Sequence, residues 1–266
     1  MNGIIHAHSR YSYDGTLSLE ELRRLFISQG LQFACMTEHT DGLDPADAER
    51  FITACRATSD ERFVFVPGFE VPYLGNHTLV VGTDRYYEGE SALARWAADG
   101  ALLIQAHPHR NGYRTDDFLR EHLNGVEVWN SQYDGIHAPR LGARILHRQL
   151  ATGRPMTAYG ALDLHRASHI NGPRLELDAR PDDSLGRAAL TEKDILTALR
   201  ESRFHIRRGG TVLDARGAVI AGGAFRVGVL GMVMPPFIAC MRLGSSLLHH
   251  LGIRTFPLKR WMRKRV

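Results

Sequence analysis

The chain opens with the stretch GIIHAHSRYSYDG at residues 3–15. Its first part, Gly3 to His8, is a short apolar run typical of a buried strand. Side chains alternate along a strand, so His6 and His8 point to the same side and can bind one metal ion together. Asp14 follows in the loop, where its carboxylate can turn back toward the strand end. A lone His-x-His motif is weak evidence, because two satisfied core or surface histidines are the simpler interpretation.

Apolar strands alternate with amphipathic helices through most of the chain. Strands are predicted at 3–8, 33–37, 63–67, 77–82, 101–106, 125–129 and 156–159, and helices at 18–30, 45–58, 90–99, 115–123, 138–152 and 191–202. Ser18 and Glu21 have the spacing of a capping box at the first helix. Strands separated by helices of this length predict parallel βα units and therefore an α/β sheet or barrel. The sequence predicts a loop over residues 166–190 and a closing pair of strands over residues 204–220.

Residues of the types that bind metals stand at the ends of almost every predicted strand. Because the carboxyl ends of parallel strands converge on one mouth of the fold, we expect these side chains to meet. Imidazole and carboxylate without thiolate favour Zn²⁺, Mn²⁺ or Fe²⁺, and Glu70 could bridge two ions. The alternative is a set of unrelated polar residues. The candidate ligands are His6, His8, Asp14, His39, Glu70, His77, His107, Asp163 and His165.

Composition excludes several classes of protein. The chain has 266 residues, of which 44% are hydrophobic and 23% charged, as in an ordinary globular protein. Its three cysteines lie far apart and cannot form a disulfide framework, which indicates a reducing compartment. Dinucleotide-binding, P-loop and nucleophile-elbow motifs do not occur. The first residues do not resemble a signal peptide, so we expect a cytoplasmic protein.

Five motifs together resemble the PHP family, the polymerase and histidinol phosphatase domain of metal-dependent phosphoesterases. Residues 6–15 match the opening signature of the family, and residues 37–41 (TEHTD) correspond to its Thr-Asp-His motif. Residues 67–70 (PGFE) correspond to Pro-Gly-x-Glu, residues 107–108 to His-Pro, and residues 160–165 (GALDLH) to Gly-Ser-Asp-x-His. The last motif departs from the family pattern at Ala161 and Leu162. The resemblance covers about residues 1–205.

The resemblance implies a distorted (β/α)₇ barrel, which we place at residues 1–221, with two or three divalent metal ions held by the nine candidate ligands. It further implies hydrolysis of a phosphomonoester or phosphodiester, of nucleotide or sugar-phosphate type, by a metal-bridging hydroxide. Only 29 residues separate His77 from His107, too few for a lid domain, so we expect an open mouth. Residues 198–204 are similar to a motif in the branch related to carbaryl hydrolases. Hydrolysis of carboxylic or carbamate esters is therefore one alternative, and a non-catalytic metal-binding module is another.

Several residues have predicted roles beyond ligation. Asp163 is the candidate to orient the water and take its proton, with simple ligation as the alternative, and Glu70 shares in catalysis as the bridging carboxylate. Arg110 is the candidate phosphate clamp, because a guanidinium offers paired donors; an exposed surface arginine is the alternative. Glu127 and Asn130, at another strand end, are candidates to orient the substrate.

Residues 222–266 predict a basic, apolar C-terminal segment separate from the barrel. After Asp214 the chain has nine bases and no acid, whereas residues 1–214 carry 24 bases and 29 acids. Residues 227–241 are uncharged but too short to span a bilayer, and they contain two consecutive prolines. Apolar, aromatic and cationic residues in this order suit an interfacial anchor on the inner face of an anionic membrane. The alternative is a segment packed on the barrel or on a second subunit in a homo-oligomer.

Overall fold

The computed structural model describes residues 1–111, 114–134, 145–148, 150–151, 153–178, 189–222 and 240. Its strands are β1 (Asn2–Ala7), β2 (Phe33–Met36), β3 (Glu38–His39), β4 (Val64–Val66), β5 (Gly68–Tyr73), β6 (Asn76–Val81), β7 (Leu102–Ala106), β8 (Gly125–Asn130), β9 (Thr157–Ala161), β10 (Arg174–Leu177), β11 (Phe204–Arg208), β12 (Thr211–Asp214) and β13 (Val219–Ala221). Its helices are α1 (Leu19–Ser28), α2 (Pro45–Thr58), α3 (Ala92–Ala98), α4 (Asp117–His122) and α5 (Glu192–Arg200).

The strands form two sheets. One has the order β13-β12-β11-β10-β1-β2-β4, and the other the order β3-β5-β6-β7-β8-β9. A single residue separates β2 from β3 and β4 from β5, so two strands continue from one sheet into the other. Backbone hydrogen bonds from Leu162 N to Ile5 O and from Leu164 N to His6 O join the end of β9 to β1. The α/β class is confirmed, and closure into a (β/α)₇ barrel stays a prediction.

The expectation of uniformly parallel strands is wrong at β6, which runs antiparallel to both β5 and β7. Only Leu74 and Gly75 lie between β5 and β6, and a two-residue turn forces an antiparallel hairpin. His77 at the start of β6 therefore lies beside the carboxyl ends of the neighbouring strands. The loop expected over residues 166–190 is also wrong in part, because β10 lies there and pairs with β1 and β11.

The predicted capping box at α1 is present. The Ser18 side chain accepts a hydrogen bond from Glu21 N, and the Glu21 carboxylate accepts one from Ser18 N. This pair fixes the start of α1 directly after the loop that carries Asp14. Leu22 and Phe26 are fully buried on the inner face of the helix, and α1 is thereby anchored to the core.

Gly68 positions the strand that carries Glu70. A Cβ atom at residue 68 would lie 2.2 Å from Val80 O and 2.7 Å from Met36 O, so only glycine fits between these backbones. The backbone of β5 therefore packs closely against β6 and the end of β2 at Gly68, two residues before Glu70.

The C-terminal segment lies almost wholly outside the described residues. Residue 222 and Cys240 are the described positions of 222–266, so the predicted division at 221 stays a prediction. Among the described residues, no helix combines the length and apolarity needed to cross a bilayer.

Candidate metal centre

Glu70 lies at the centre of a cluster of histidines and is 1% exposed. Five imidazoles approach its two carboxylate oxygens. Oε2 lies 3.1 Å from His6 Nε2, 3.3 Å from His8 Nε2 and 3.3 Å from His39 Nδ1, and Oε1 lies 2.5 Å from His77 Nδ1 and 2.8 Å from His107 Nε2. One carboxylate thus joins five imidazoles from four separate parts of the chain, since His6 and His8 lie two residues apart.

A second group, Asp14, Asp163 and His165, borders this cluster. His165 Nε2 lies 3.0 Å from Asp14 Oδ2, and His165 Nδ1 lies 3.4 Å from Asp163 Oδ1. Asp163 Oδ1 is also 3.5 Å from His6 Nε2, and Asp14 Oδ1 is 3.5 Å from His39 Nε2. The structure therefore brings all nine predicted ligands together, and their coordination of metal stays a prediction.

The donor atoms of the cluster fit metal ions. Three sets have ligand atoms within 4.8 Å of one another: His8, His39 and His165; His6, His8, Glu70 and Asp163; and His39, Glu70 and His77. His8 Nε2 is buried and lies 3.3 Å from Glu70 Oε2 without hydrogen-bond geometry, and it has no hydrogen-bond partner among the described residues. A buried polar atom without a partner costs free energy, and coordination to a cation would satisfy it.

The protonation states of the cluster also suit a cation. Burial lowers the pKa of His8, and it lowers the pKa of His39 to about 4, so both imidazoles are neutral at pH 7. Burial raises the pKa of Glu70, but His6 and the hydrogen bonds from neighbouring imidazoles outweigh it and hold that pKa well below its usual range. Metal ligation needs neutral imidazole and ionised carboxylate, which His8, His39 and Glu70 supply. Burial lowers the pKa of His6, but the carboxylates of Glu127, Glu70 and Asp163 outweigh it and raise that pKa well above its usual range.

Glu127 orients two of the candidate ligands from behind. It is 1% exposed, and its Oε1 lies 2.6 Å from His6 Nδ1. Its Oε2 accepts hydrogen bonds from His107 N at 2.6 Å and from Asn130 Nδ2 at 2.9 Å. The expectation that Glu127 and Asn130 orient the substrate is not supported by this placement, because both are buried and bonded to each other. A carboxylate on Nδ1 of a histidine leaves Nε2 free for a metal.

Ser12 plays the same part for His8. Its hydroxyl donates to Glu38 Oε2 at 2.5 Å and accepts from His39 N at 2.9 Å. Because the hydroxyl hydrogen is used on Glu38, His8 Nδ1, which lies 3.1 Å from Ser12 Oγ, must be the donor in that contact. Glu38 is fully buried, and burial raises its pKa to about 7. Sequence reasoning missed both residues, although Ser12 lies inside the opening motif.

The backbone is unusual at three of the candidate ligands. His6, His107 and Asp163 have positive φ angles of 67°, 24° and 52°. Non-glycine residues in this region are strained, and such strain clusters at functional sites. The pairing of β1 with β2 shifts register between Ile5 and Ala7. His6 and His8 therefore reach the same carboxylate across a bulge, and not through the regular alternation that the sequence suggested.

Arg110 and His169 lie at the edge of the cluster. Arg110 is exposed and lines a cleft of about 400 Å³ together with His77 and His107. His169 is half-buried, and its Nδ1 accepts a hydrogen bond from His165 N at 3.4 Å. Burial lowers the pKa of His169 to about 4. The four-residue spacing between His165 and His169 is the sequence feature that could have indicated this contact.

Comparison with known proteins agrees with this site. The PHP domain family matches residues 5–137, half of the chain, so the chain belongs to the PHP family and the resemblance is confirmed. Family and cluster together indicate a metal-dependent hydrolase.

Two solved structures are similar to this chain. One is a protein of Bifidobacterium adolescentis described as a metal-dependent phosphoesterase, with 14% identity, a TM-score of 0.44, and coverage of 62% of this chain and 88% of the other. The second is an amidohydrolase of Chromobacterium violaceum with bound sulfate and no metal, with 15% identity, a TM-score of 0.45, and coverage of 78% of this chain and 98% of the other. No curated protein matches the sequence.

Proposed function

We propose that the chain is a metal-dependent phosphoesterase that hydrolyses a phosphomonoester or phosphodiester. The observation that carries this proposal is the convergence of five imidazoles on the ionised carboxylate of Glu70, beside a cleft that Arg110 lines. The cluster alone is compatible with hydrolysis of other esters. Arg110 favours phosphate, because a guanidinium offers paired donors that match phosphate oxygens.

Two or three divalent ions (Zn²⁺, Mn²⁺ or Fe²⁺) are held in this proposal by the nine clustered side chains. When bound, such ions lower the pKa of a water molecule to about 7 and offset the negative charge of phosphate oxygens. Asp163, which lies 3.5 Å from His6 and 3.4 Å from His165, would accept the proton of the attacking water, and Glu127 and Ser12 hold the imidazoles in place. Arg110 binds phosphate oxygens at the cleft. The reaction needs no serine or cysteine nucleophile.

A substrate screen on the metal-reconstituted full chain tests this proposal. We expect turnover of phenyl phosphate or bis(p-nitrophenyl) phosphate, and none of p-nitrophenyl acetate or an aryl carbamate. Arg110→Ala should raise the KM for the phosphate ester by about tenfold or more, since it removes a charge-assisted contact. Arg62→Ala, at an exposed arginine of the turn before β4, is the matched control. Turnover confined to carboxylic or carbamate esters would refute the assignment of phosphate.

A further inference from the structure

The cleft beside the metal centre is formed by the β5–β6 hairpin and the segment after β7. It has a volume of about 400 Å³, and its lining includes Tyr73, Leu74 and Asn76 as well as His77, His107 and Arg110. A polar network holds its floor: Gln105 Nε2 donates to Asn76 Oδ1 at 2.9 Å, and Thr115 Oγ1 donates to Gln105 Oε1 at 2.8 Å. The cleft is therefore preformed, and its size is in the range of small-molecule sites.

Two large apolar side chains are exposed at the mouth of this site. Leu74 and Tyr13 are 75% and 73% exposed, the highest values for large hydrophobic residues among those the structure describes. The Tyr13 ring stacks on His39 with centroids 4.9 Å apart. Leu74 lines the cleft together with His77 and Arg110, and the His39 ring that Tyr13 covers lies 6.3 Å from the ring of His77. Apolar surface and a cation thus occur together at the entrance.

The backbone at Leu74 adds an independent observation. Leu74 and Gly75 both have positive φ, 46° and 76°, as in a type I′ hairpin turn. Asparagine and glycine suit the first position of that turn, whereas leucine there is strained. Since its side chain is exposed, Leu74 recovers little of this cost by burial. Backbone strain of this kind clusters at ligand-binding sites, and Leu74 lies at the rim of a cleft.

We propose that Leu74 and Tyr13 bind a flat, apolar ring in the alcohol part of a phosphate ester whose phosphate lies between Arg110 and the metal centre. This inference rests on the proposed function and narrows its substrate class. The ring packs on the Leu74 side chain and on the exposed Tyr13 ring, while Arg110 and the metal ligands take the charged end. Esters of small aliphatic alcohols lack the group that these two side chains recognise.

Binding of two phosphonates to the metal-loaded full chain tests the inference without turnover. Phenylphosphonate and methylphosphonate share one head group and differ in the ring. By calorimetry on manganese-loaded protein, we expect phenylphosphonate to bind at least about tenfold more tightly, because the ring buries apolar area. The ratio of the two Kd values should fall at least about fivefold in Leu74→Asn and in Tyr13→Ala.

Ile220→Asn is the matched control, because Ile220 is an apolar residue of β13 with 53% exposure outside the cleft, and it should keep the wild-type ratio. Melting temperature and metal content are measured for every variant. Leu74→Gly is a second substitution that the positive φ accepts, in case Leu74→Asn folds poorly.

The outcomes separate the inference from the proposed function. Equal binding of the two phosphonates by the wild type, or an unchanged ratio in the Leu74 variants, overturns the inference. Equal kcat/KM for phenyl and methyl phosphate would likewise overturn it, and the proposed function would stand. A ring preference in binding without hydrolysis of any phosphate ester would support the ring surface and refute the proposed function. If neither phosphonate binds the metal-loaded chain, both fail.

Discussion

Replacing Glu127 by glutamine tests whether buried hydrogen bonds, and not the ligands alone, set the metal affinity. Glu127 accepts three hydrogen bonds, from His6 Nδ1, from His107 N and from Asn130 Nδ2. The carboxylate has two acceptor oxygens, whereas the amide of glutamine has one. If the amide oxygen of the glutamine faces His6, its amide nitrogen faces the two donors His107 N and Asn130 Nδ2. In the opposite orientation, the amide nitrogen faces the donor His6 Nδ1.

The size of the effect follows from this count. At least one buried donor loses its acceptor in either orientation, which costs about 1–3 kcal/mol of unfolding free energy. Loss of a carboxylate behind a metal-binding histidine typically lowers metal affinity by about 10–100-fold, or roughly 1.4–2.8 kcal/mol. We therefore expect Glu127→Gln to weaken manganese binding at least about tenfold while the chain still folds.

Calorimetric titration of metal-free protein with Mn²⁺ measures this change, and urea unfolding measures stability. Glu176→Gln is the control, since Glu176 in β10 also bonds a cationic partner, Arg207, at 2.6 Å, but is partly exposed and outside the cluster. An affinity of Glu127→Gln within about twofold of the wild type, with the control unchanged, would show that Glu127 does not position His6, contrary to the general expectation for such residues.

Three further predictions concern the metal content, a buried acid and the C-terminal segment. Reconstituted wild-type protein should carry about two to three ions per chain by elemental analysis, since nine ligands exceed the need of one ion, and Glu70→Ala should lose at least one ion and all hydrolysis. Burial raises the pKa of Asp134 to about 7, so the folded protein binds a proton at this residue more tightly than the unfolded chain does. The contribution of Asp134 to the free energy of unfolding should therefore fall by a few kcal/mol as the pH rises from about 4 to about 7. Asp134→Asn should remove that part of the slope in urea unfolding across pH, and an unchanged slope would contradict the assignment. Truncation after Ala221 should leave an active, metal-loaded chain that no longer sediments with anionic vesicles at low salt; unfolding or loss of metal would place residues 222–266 in the core or a subunit interface.

Local patterns in the sequence were enough to predict the α/β class, the capping box at Ser18 and the convergence of the candidate ligands. Each of these depends on short-range order: a period of apolar residues, a three-residue spacing, or a polar residue at the end of a strand. The candidate ligands could be assigned from the sequence because the direction of a strand determines which of its ends faces the mouth of the fold.

The remaining features depend on contacts between distant parts of the chain. Glu127 meets His6 across 121 positions, and no local pattern distinguishes it from a residue that faces the substrate. The bulge at His6 and the strain at Leu74 are set by pairing with other strands, which local spacing does not determine. The strand β10 also depends on its partners, because its own residues Arg174–Leu177 alternate between polar and apolar within a segment poor in hydrophobic residues.

At Asp163, the left-handed backbone lowers stability, whereas metal binding needs the carboxylate at this position. Glycine adopts a φ of 52° more readily than aspartate does, because it has no Cβ. A laboratory selection for heat resistance alone should therefore accept Asp163→Gly and discard a ligand. Such a selection would yield robust chains that no longer hold their metals, and screening for thermal stability in this protein must be paired with an assay of metal content.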